Sequence, residues 1–167
     1  MTDIFLHPGD LRFAGAGARI RTLLGSCLAI VMWHPVLRIG GMSHCLLPSR
    51  SAGDRGFPLD GRYVDEALPL LLAAAARHDT DPADYHIKLF GGSTMIAALH
   101  DAKHASIGDL NIRQALLRLS LLDLPVAARD LGGIGYRSVV FEVGSGDVWV
   151  GSGQEPSREP VTEAVLT

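Results

Sequence analysis

Two apolar stretches joined by a tight turn constrain the fold of this chain most. Residues 20–33 and 38–47 have the apolar character of buried strands, and the first stretch is interrupted near Gly25. The residues between them, 34–37, read His-Pro-Val-Leu, and proline is favoured at the second position of a turn because its ring fixes φ. The pattern predicts a β-hairpin early in the chain.

Helical segments follow in mixed order with further strands. Helices are predicted at residues 62–78, 93–99 and 111–122. Pro69 is expected to bend or restart the first of them, and Asp109 or Asn111 is able to cap the last. Strands are predicted at residues 85–90 and, as a C-terminal hairpin, at 138–143 and 147–150. Without strict βαβ alternation, this order predicts an α+β fold with a mixed β-sheet core flanked by helices.

Length and composition limit the classes of protein to consider. The 167 residues fit one domain, predicted over residues 1–153, with residues 154–167 as a polar, loosely ordered tail. A net charge of −3 offers no basic surface for nucleic acid or for a membrane. The first ten residues lack a secretory pattern and no stretch is long enough to span a bilayer, so we expect a cytoplasmic protein with free thiols.

Cys27 and His44 are the candidate nucleophile and base. If the turn centres on Pro35 and Val36, then Trp33 pairs with Arg38, and the same register sets Cys27 directly opposite His44. A nearby imidazole can take the thiol proton and so generate the nucleophilic thiolate. A slip of one residue would send the two side chains to opposite faces. On composition alone the other interpretation is favoured, in which Cys27 is a buried thiol and His44 a core histidine.

The residues next to Cys27 are small. Gly25 and Ser26 would let a substrate approach the sulfur, and backbone N–H groups here could stabilise an oxyanion or line the cleft. Cys45 alternates away from His44 along its strand and is therefore expected in the core. His100 and His104 have helical metal-ligand spacing, but no further ligand pattern accompanies them, so no metal site is predicted.

Six segments of the chain form one set of motifs, whose specific core is GSC at Gly25 followed by GGMSH at Gly40. The segments are RTLLGSCLAIVMWHP from Arg21, RIGGMSHCLLPSR from Arg38, DGRYVDEAL from Asp60, KLFGGSTM from Lys88, IGDLN from Ile107 and DLGGIGYRSVVFEVGSGDVWV from Asp130. This set resembles the CheD family of chemoreceptor glutamine deamidases. The segments stand in the order expected of that family and cover most of the chain.

The resemblance implies a protein-glutamine amidohydrolase with the fold of deamidating bacterial toxins. Cys27 matches the family nucleophile and His44 the family base, and no cofactor is implied. The implied substrates are glutamine side chains on the cytoplasmic domains of methyl-accepting chemotaxis receptors, converted to glutamate through a thioester. Some members also hydrolyse receptor glutamyl methyl esters, and some bind a CheC-type phosphatase. The alternative is an adaptor that binds receptors or such a phosphatase without catalysis.

Two positions depart from the family pattern. The family has a threonine six residues before the cysteine to orient the histidine, whereas this chain has Arg21 there and Thr22 five residues before. A bulge or gap would return Thr22 to the orienting position, and otherwise Thr22 only packs in a strand. Residues 108–111 also differ from the usual relatives, which affects either substrate contact or helix capping.

Overall fold

The computed structural model describes residues 1–54, 56–95, 104–153 and 159–162. Within these residues the chain forms nine strands, two α-helices and a 3-10 turn at Pro82–Asp84. The elements are β1 (Thr2–Phe5), β2 (Leu11–Ala14), β3 (Ala18–Leu24), β4 (Leu28–His34), β5 (Ile39–Ser43), α1 (Val64–Ala76), β6 (His86–Gly91), α2 (Ile107–Leu121), β7 (Val126–Leu131), β8 (Arg137–Glu142) and β9 (Val148–Ser152). Neither of these helices has the length and hydropathy needed to cross a membrane.

The strands form two sheets, ordered β1-β3-β8-β9 and β2-β5-β4-β6-β7. Each sheet is mixed, because β1 runs parallel to β3 and β6 parallel to β7, while the other pairs are antiparallel. Both helices contact the five-stranded sheet. One apolar cluster lies between that sheet and the helices, and a second lies between the two sheets. The predicted α+β fold with a mixed sheet core is confirmed, with two sheets in place of one.

The β4–β5 hairpin forms, but the predicted register is wrong by two residues. His34 pairs with Ile39 and Trp33 with Gly40, so Trp33 does not pair with Arg38. The loop has four residues because Arg38 adopts a left-handed conformation with φ 53°, and its N–H donates to the carbonyl of His34 at 2.8 Å. A shift of two residues leaves every side chain on its original face.

The first apolar stretch divides between the two sheets. Strand β3 ends at Leu24 in the four-stranded sheet, and β4 begins at Leu28 in the five-stranded sheet. The interruption expected near Gly25 is therefore a crossing from one sheet to the other. Cys27 lies on this crossing.

The helices differ from prediction in their starts. Helix α1 continues through Pro69, so the alternative that Pro69 restarts the helix is wrong. Helix α2 is capped by Ser106, so the prediction of Asp109 or Asn111 as its cap is wrong. The Ser106 hydroxyl accepts from the Asp109 N–H and the Asp109 carboxylate accepts from the Ser106 N–H, each at 3.1 Å. This reciprocal capping box starts α2 four residues earlier than the apolar pattern indicated.

The remaining strands and the C-terminal segment agree only in part with the sequence-based predictions. The C-terminal hairpin of β8 and β9 is confirmed, whereas β1, β2 and β7 were not predicted. Residues 93–95 are not helical, and the rest of the predicted helix at 93–99, with His100, lies outside the described residues. In the described part of the predicted tail, the Val161 N–H donates to the Val148 carbonyl at 2.6 Å.

Candidate active site

A cavity of about 300 Å³ opens at the seam between the two sheets. Cys27 and His44 both line it, together with Gly25 and Ser26. The rest of the lining is largely apolar and consists of Phe5, Leu6, Pro8, Leu23, Met95 and Tyr136. Cys27 is half-buried on the crossing, and His44 is buried just after β5. The shift in register places His44 diagonally from Cys27, yet the structure brings both side chains to one cavity.

Thr22 holds the imidazole of His44 from the opposite sheet. The Thr22 hydroxyl lies 2.7 Å from His44 Nδ1 and donates to the carbonyl of Leu6 at 2.8 Å. A hydroxyl has one proton, and a carbonyl can only accept, so both contacts are satisfied only when Nδ1 is the protonated nitrogen. The lone pair of the neutral ring then resides on Nε2. That nitrogen is buried and has no hydrogen-bond partner among the described residues.

The backbone of His44 is fixed by the loop before β2. Its N–H donates to the carbonyl of Asp10 at 2.9 Å, and its carbonyl accepts from the Gly9 N–H at 2.8 Å. With the side chain tied to Thr22, the imidazole is therefore held at both its backbone and its ring. Such a fixed ring is what a general base requires, since proton transfer depends on geometry before pKa.

Burial acts on the pKa of both side chains. It raises the pKa of the Cys27 thiol, and it lowers the pKa of His44, an effect partly opposed by the Leu6 carbonyl and by the charge of Asp10. Both shifts favour the neutral forms, since a low-dielectric site penalises charge. Burial therefore favours a thiol and a neutral imidazole in this cavity over an ion pair.

The backbone around Cys27 is held by the turn after β6. The Gly92 N–H donates to the Cys27 carbonyl at 2.8 Å, and the Ser93 N–H donates to the Gly25 carbonyl at 3.0 Å. A Cβ atom at Gly91, whose φ is 111°, would overlap the Cys27 carbonyl oxygen. The N–H groups of Ser26 and Cys27 have no acceptor among the described residues. The segment thus leaves two backbone donors unpaired within the described part of the chain, one of them on Cys27 itself.

Asn111 joins the two chain segments of the site, and sequence reasoning missed it. Its side-chain amide donates to the carbonyls of Ser26 at 2.9 Å and Leu46 at 3.0 Å. From the sequence alone, Asn111 is only a candidate cap of α2. Its spacing from Ala115 and Leu119 puts it on the buried face of the helix, so helical periodicity was the available signal for a buried amide.

The remaining predicted residues lie apart from the chemistry. Cys45 is fully buried in the cluster beneath the helices, as expected, and burial raises its pKa to about 12. Arg21 is exposed and lines a second cavity of about 290 Å³, which shares Phe5 and Leu23 with the first. Within the described ranges no three His, Cys, Asp or Glu side chains converge as metal ligands.

The fold and the cavity together define an α+β protein with a cysteine and a histidine in one cleft, and comparison with known proteins assigns it to a family. The family model described as CheD, chemotactic sensory transduction, matches residues 46–152. The chain therefore belongs to the CheD family.

Three relatives extend the similarity to almost the whole chain. All are named as probable chemoreceptor glutamine deamidases of the CheD type. The protein of Pseudomonas fluorescens SBW25 is 47% identical over 150 residues, covering 89% of this chain and 84% of its own. That of Pseudomonas syringae pv. syringae B728a is 45% identical over 151 residues, with coverages of 90% and 84%. That of Chromobacterium violaceum is 42% identical over 156 residues, with coverages of 93% and 80%. Cys27 and His44 precede the family-model match, but alignments of this length include them.

Proposed function

We propose that this protein is a protein-glutamine amidohydrolase acting on the cytoplasmic domains of methyl-accepting chemotaxis receptors. Residues 1–153 form its catalytic domain, Cys27 is the nucleophile and His44 is the base. The observation that carries the proposal is that His44 and Cys27 line one cavity, while Nε2 of His44 has no hydrogen-bond partner among the described residues. The names of the relatives supply the substrate class.

The first half of the reaction forms a thioester. The Cys27 sulfur attacks the side-chain amide carbon of glutamine, and the thiol proton passes to Nε2 of His44. The resulting tetrahedral intermediate carries its negative charge on oxygen. When it collapses, the carbon–nitrogen bond breaks, and the proton on Nε2 goes to the leaving nitrogen, which departs as ammonia.

The second half releases the product. Water gives a proton to Nε2 and attacks the thioester carbon, the carbon–sulfur bond breaks, and the proton returns to sulfur as glutamate leaves. A glutamyl methyl ester would enter the same thioester with methanol as leaving group, so the proposal includes methylesterase activity on receptors. Because burial raises the pKa of Cys27 and so disfavours a free thiolate, the proposed mechanism transfers the thiol proton as the sulfur attacks.

Two backbone donors of the nucleophile segment are available to stabilise the charged intermediate. The N–H groups of Ser26 and Cys27 lack protein acceptors within the described residues, and Gly25 and Ser26 line the cavity. Preorganised donors of this kind stabilise developing charge on oxygen, and one of them is worth about 10²–10³ in rate in a comparable site. We assign them the role of oxyanion donors.

The proposal extends to location and partner. Receptor cytoplasmic domains as substrates imply a cytoplasmic enzyme. Phe5 and Tyr136 line the cavity and are about half exposed, at 49% and 59%, which offers an apolar rim to a receptor segment or to a CheC-type phosphatase. The adaptor alternative was motivated by the shift of the threonine from the position of Arg21 to that of Thr22. The contact of Thr22 with His44 argues against that reason.

The experiment that tests the function is incubation with a purified receptor cytoplasmic domain. Conversion of glutamine amide to acid is followed by mass spectrometry of receptor peptides. Wild-type protein and Cys45→Ala should convert the receptor, whereas Cys27→Ala should be slower by at least about a thousandfold. Equal conversion by Cys27→Ala would overturn the mechanism, and no conversion by wild type would favour the adaptor.

A further inference from the structure

The pairing of β4 with the chain after β5 ends immediately beside the site. Leu28 and Cys45 form the last backbone pair, with N–H to carbonyl distances of 2.9 and 2.7 Å in the two directions. Beyond this pair, the carbonyls of Ser26 and Leu46 take their hydrogen bonds from the side-chain amide of Asn111. One amide group thus replaces the backbone pairing that the two chain segments no longer make.

The position of Asn111 is itself fixed by close packing of α2. Gly108 lies in the first turn of the helix, and a Cβ atom there would overlap the carbonyl oxygen of Gly92. Residues three apart share a face of a helix, so the contact of Gly108 brings Asn111 against the same part of the protein. Asn111 is fully buried there.

We infer that Asn111 is a positioning residue, which fixes the separation of Cys27 and His44 by binding the backbone of both segments. Ser26 immediately precedes Cys27, and Leu46 follows His44 by two residues. The inference rests on the proposed function of this pair. Helix α2 supplies no residue to the cavity lining. The inference nevertheless gives this helix a role, because its Asn111 would set the distance between Cys27 and His44.

The other half of the amide supports a role beyond general stability. Only the nitrogen of the amide can donate to two carbonyls, so Oδ1 points elsewhere, and it is buried without a partner among the described residues. A buried acceptor without a partner destabilises the fold, because it loses its hydrogen bonds to water and gains none in return. The asparagine is therefore present at a cost, which its two donated hydrogen bonds to the site segments offset.

The test compares Asn111→Leu with Gln114→Leu. Leucine has nearly the shape of asparagine and no donor. Gln114 lies one turn further along α2, and its amide donates to the Ser49 hydroxyl at 3.0 Å, away from the cavity. Gln114→Leu is therefore a control that also removes one amide from the same helix. Two quantities are measured on each folded variant: kcat and KM for receptor deamidation, and the rate of Cys27 alkylation by iodoacetamide at pH 7.

Asn111→Leu should lower kcat by about tenfold to a hundredfold with KM changed less than about threefold, since a misplacement of 1 Å can cost that much. Cys27 alkylation should slow with it, and Gln114→Leu should leave both rates near wild type. Equal behaviour of the two variants would overturn the inference. If the leucine variant does not fold, Asn111→Ala, which leaves room for water, is used, and failure of both to fold would also overturn it. The alkylation assay needs no receptor, so it separates the two claims. If Asn111→Leu slowed alkylation but wild-type protein did not deamidate the receptor, the proposed function would be rejected and the positioning role of Asn111 would stand.

Discussion

The hydroxyl of Thr22 lies 2.7 Å from Nδ1 of His44 and donates its own hydrogen bond to the carbonyl of Leu6. Thr22 belongs to the four-stranded sheet, while His44 follows a strand of the five-stranded sheet. The contact therefore spans the seam between the sheets and fixes the imidazole tautomer that leaves Nε2 available as a base.

Two substitutions of Thr22 distinguish the effect of its hydroxyl on the orientation of His44 from the effect of its side-chain shape. Thr22→Val keeps the branched form but removes the hydroxyl that joins Nδ1–H of His44 to the Leu6 carbonyl. The value of kcat should fall by about tenfold to a hundredfold, the range known for partners that orient metal-binding histidines. Thr22→Ser retains the hydroxyl and should stay within about threefold of wild type. Steady-state deamidation of a receptor domain measures both, and equal rates for the two variants would contradict an orienting role.

The two thiols should differ sharply in reactivity. Cys27 is half-buried at the cavity, whereas Cys45 is fully buried and its pKa is raised to about 12. Iodoacetamide at pH 8 should therefore modify Cys27 alone in the folded protein and both residues in denaturant, as read by peptide mass spectrometry. His44→Gln should slow the reaction of Cys27 by removing its base. Similar modification of both thiols in folded protein would contradict the arrangement.

The sequence was sufficient to predict six of the nine described strands, both described α-helices and the placement of Cys27 and His44 near each other, which the structure shows as two residues lining one cavity. The alternation along residues 38–47 put His44 and Cys45 on opposite faces, and that parity survived an error of two residues in register because side chains repeat every two residues along a strand. The error arose because a turn of four residues, closed by Arg38 at positive φ, has no clear signal in His-Pro-Val-Leu.

What the sequence did not predict depends on contacts between distant parts of the chain. Nothing local shows that residues 20–33 leave one sheet and enter another at Gly25. The contact of Thr22 with His44 follows from that crossing, because it brings the inner face of β3 against the other sheet. Asn111 reaches Ser26 across 85 positions, and no periodicity within α2 identifies the partner of a buried amide.

The pH dependence of activity should have its acid limb below pH 6.5. Burial lowers the pKa of His44 from 6.5, so the neutral base persists to lower pH than in a free histidine. The charge of Asp10 opposes this shift, and Asp10→Asn should therefore lower the pKa of His44 further and move the limb of kcat/KM to lower pH. The unfolded chain binds the His44 proton more readily, so this residue's contribution to stability is complete above pH 6.5 and declines below it. An acid limb above pH 6.5, or one that Asp10→Asn moves upward, would contradict the assignment.

Two glycines with positive φ make it possible to distinguish the cost of backbone strain from the effect of a steric clash with the nucleophile segment. A Cβ atom at Gly132, whose φ is 76°, would have no neighbouring atom within 4 Å, whereas a Cβ at Gly91, with φ 111°, would overlap the carbonyl oxygen of Cys27. Gly132→Ala should cost about 1–2 kcal/mol in the free energy of unfolding, the usual cost of a left-handed alanine, with activity retained.

Gly91→Ala adds displacement of Cys27 to the same backbone strain. The hydrogen bond from the Gly92 N–H to the Cys27 carbonyl should be lost with it, so kcat should fall by at least about tenfold, and the free energy of unfolding should fall further than in Gly132→Ala. Urea unfolding and receptor deamidation, measured on both variants at one temperature, check the two effects. Of the two glycines, only Gly91 lies against the Cys27 backbone. Equal kcat values for the two variants would therefore show that the turn after β6 has no part in holding the nucleophile.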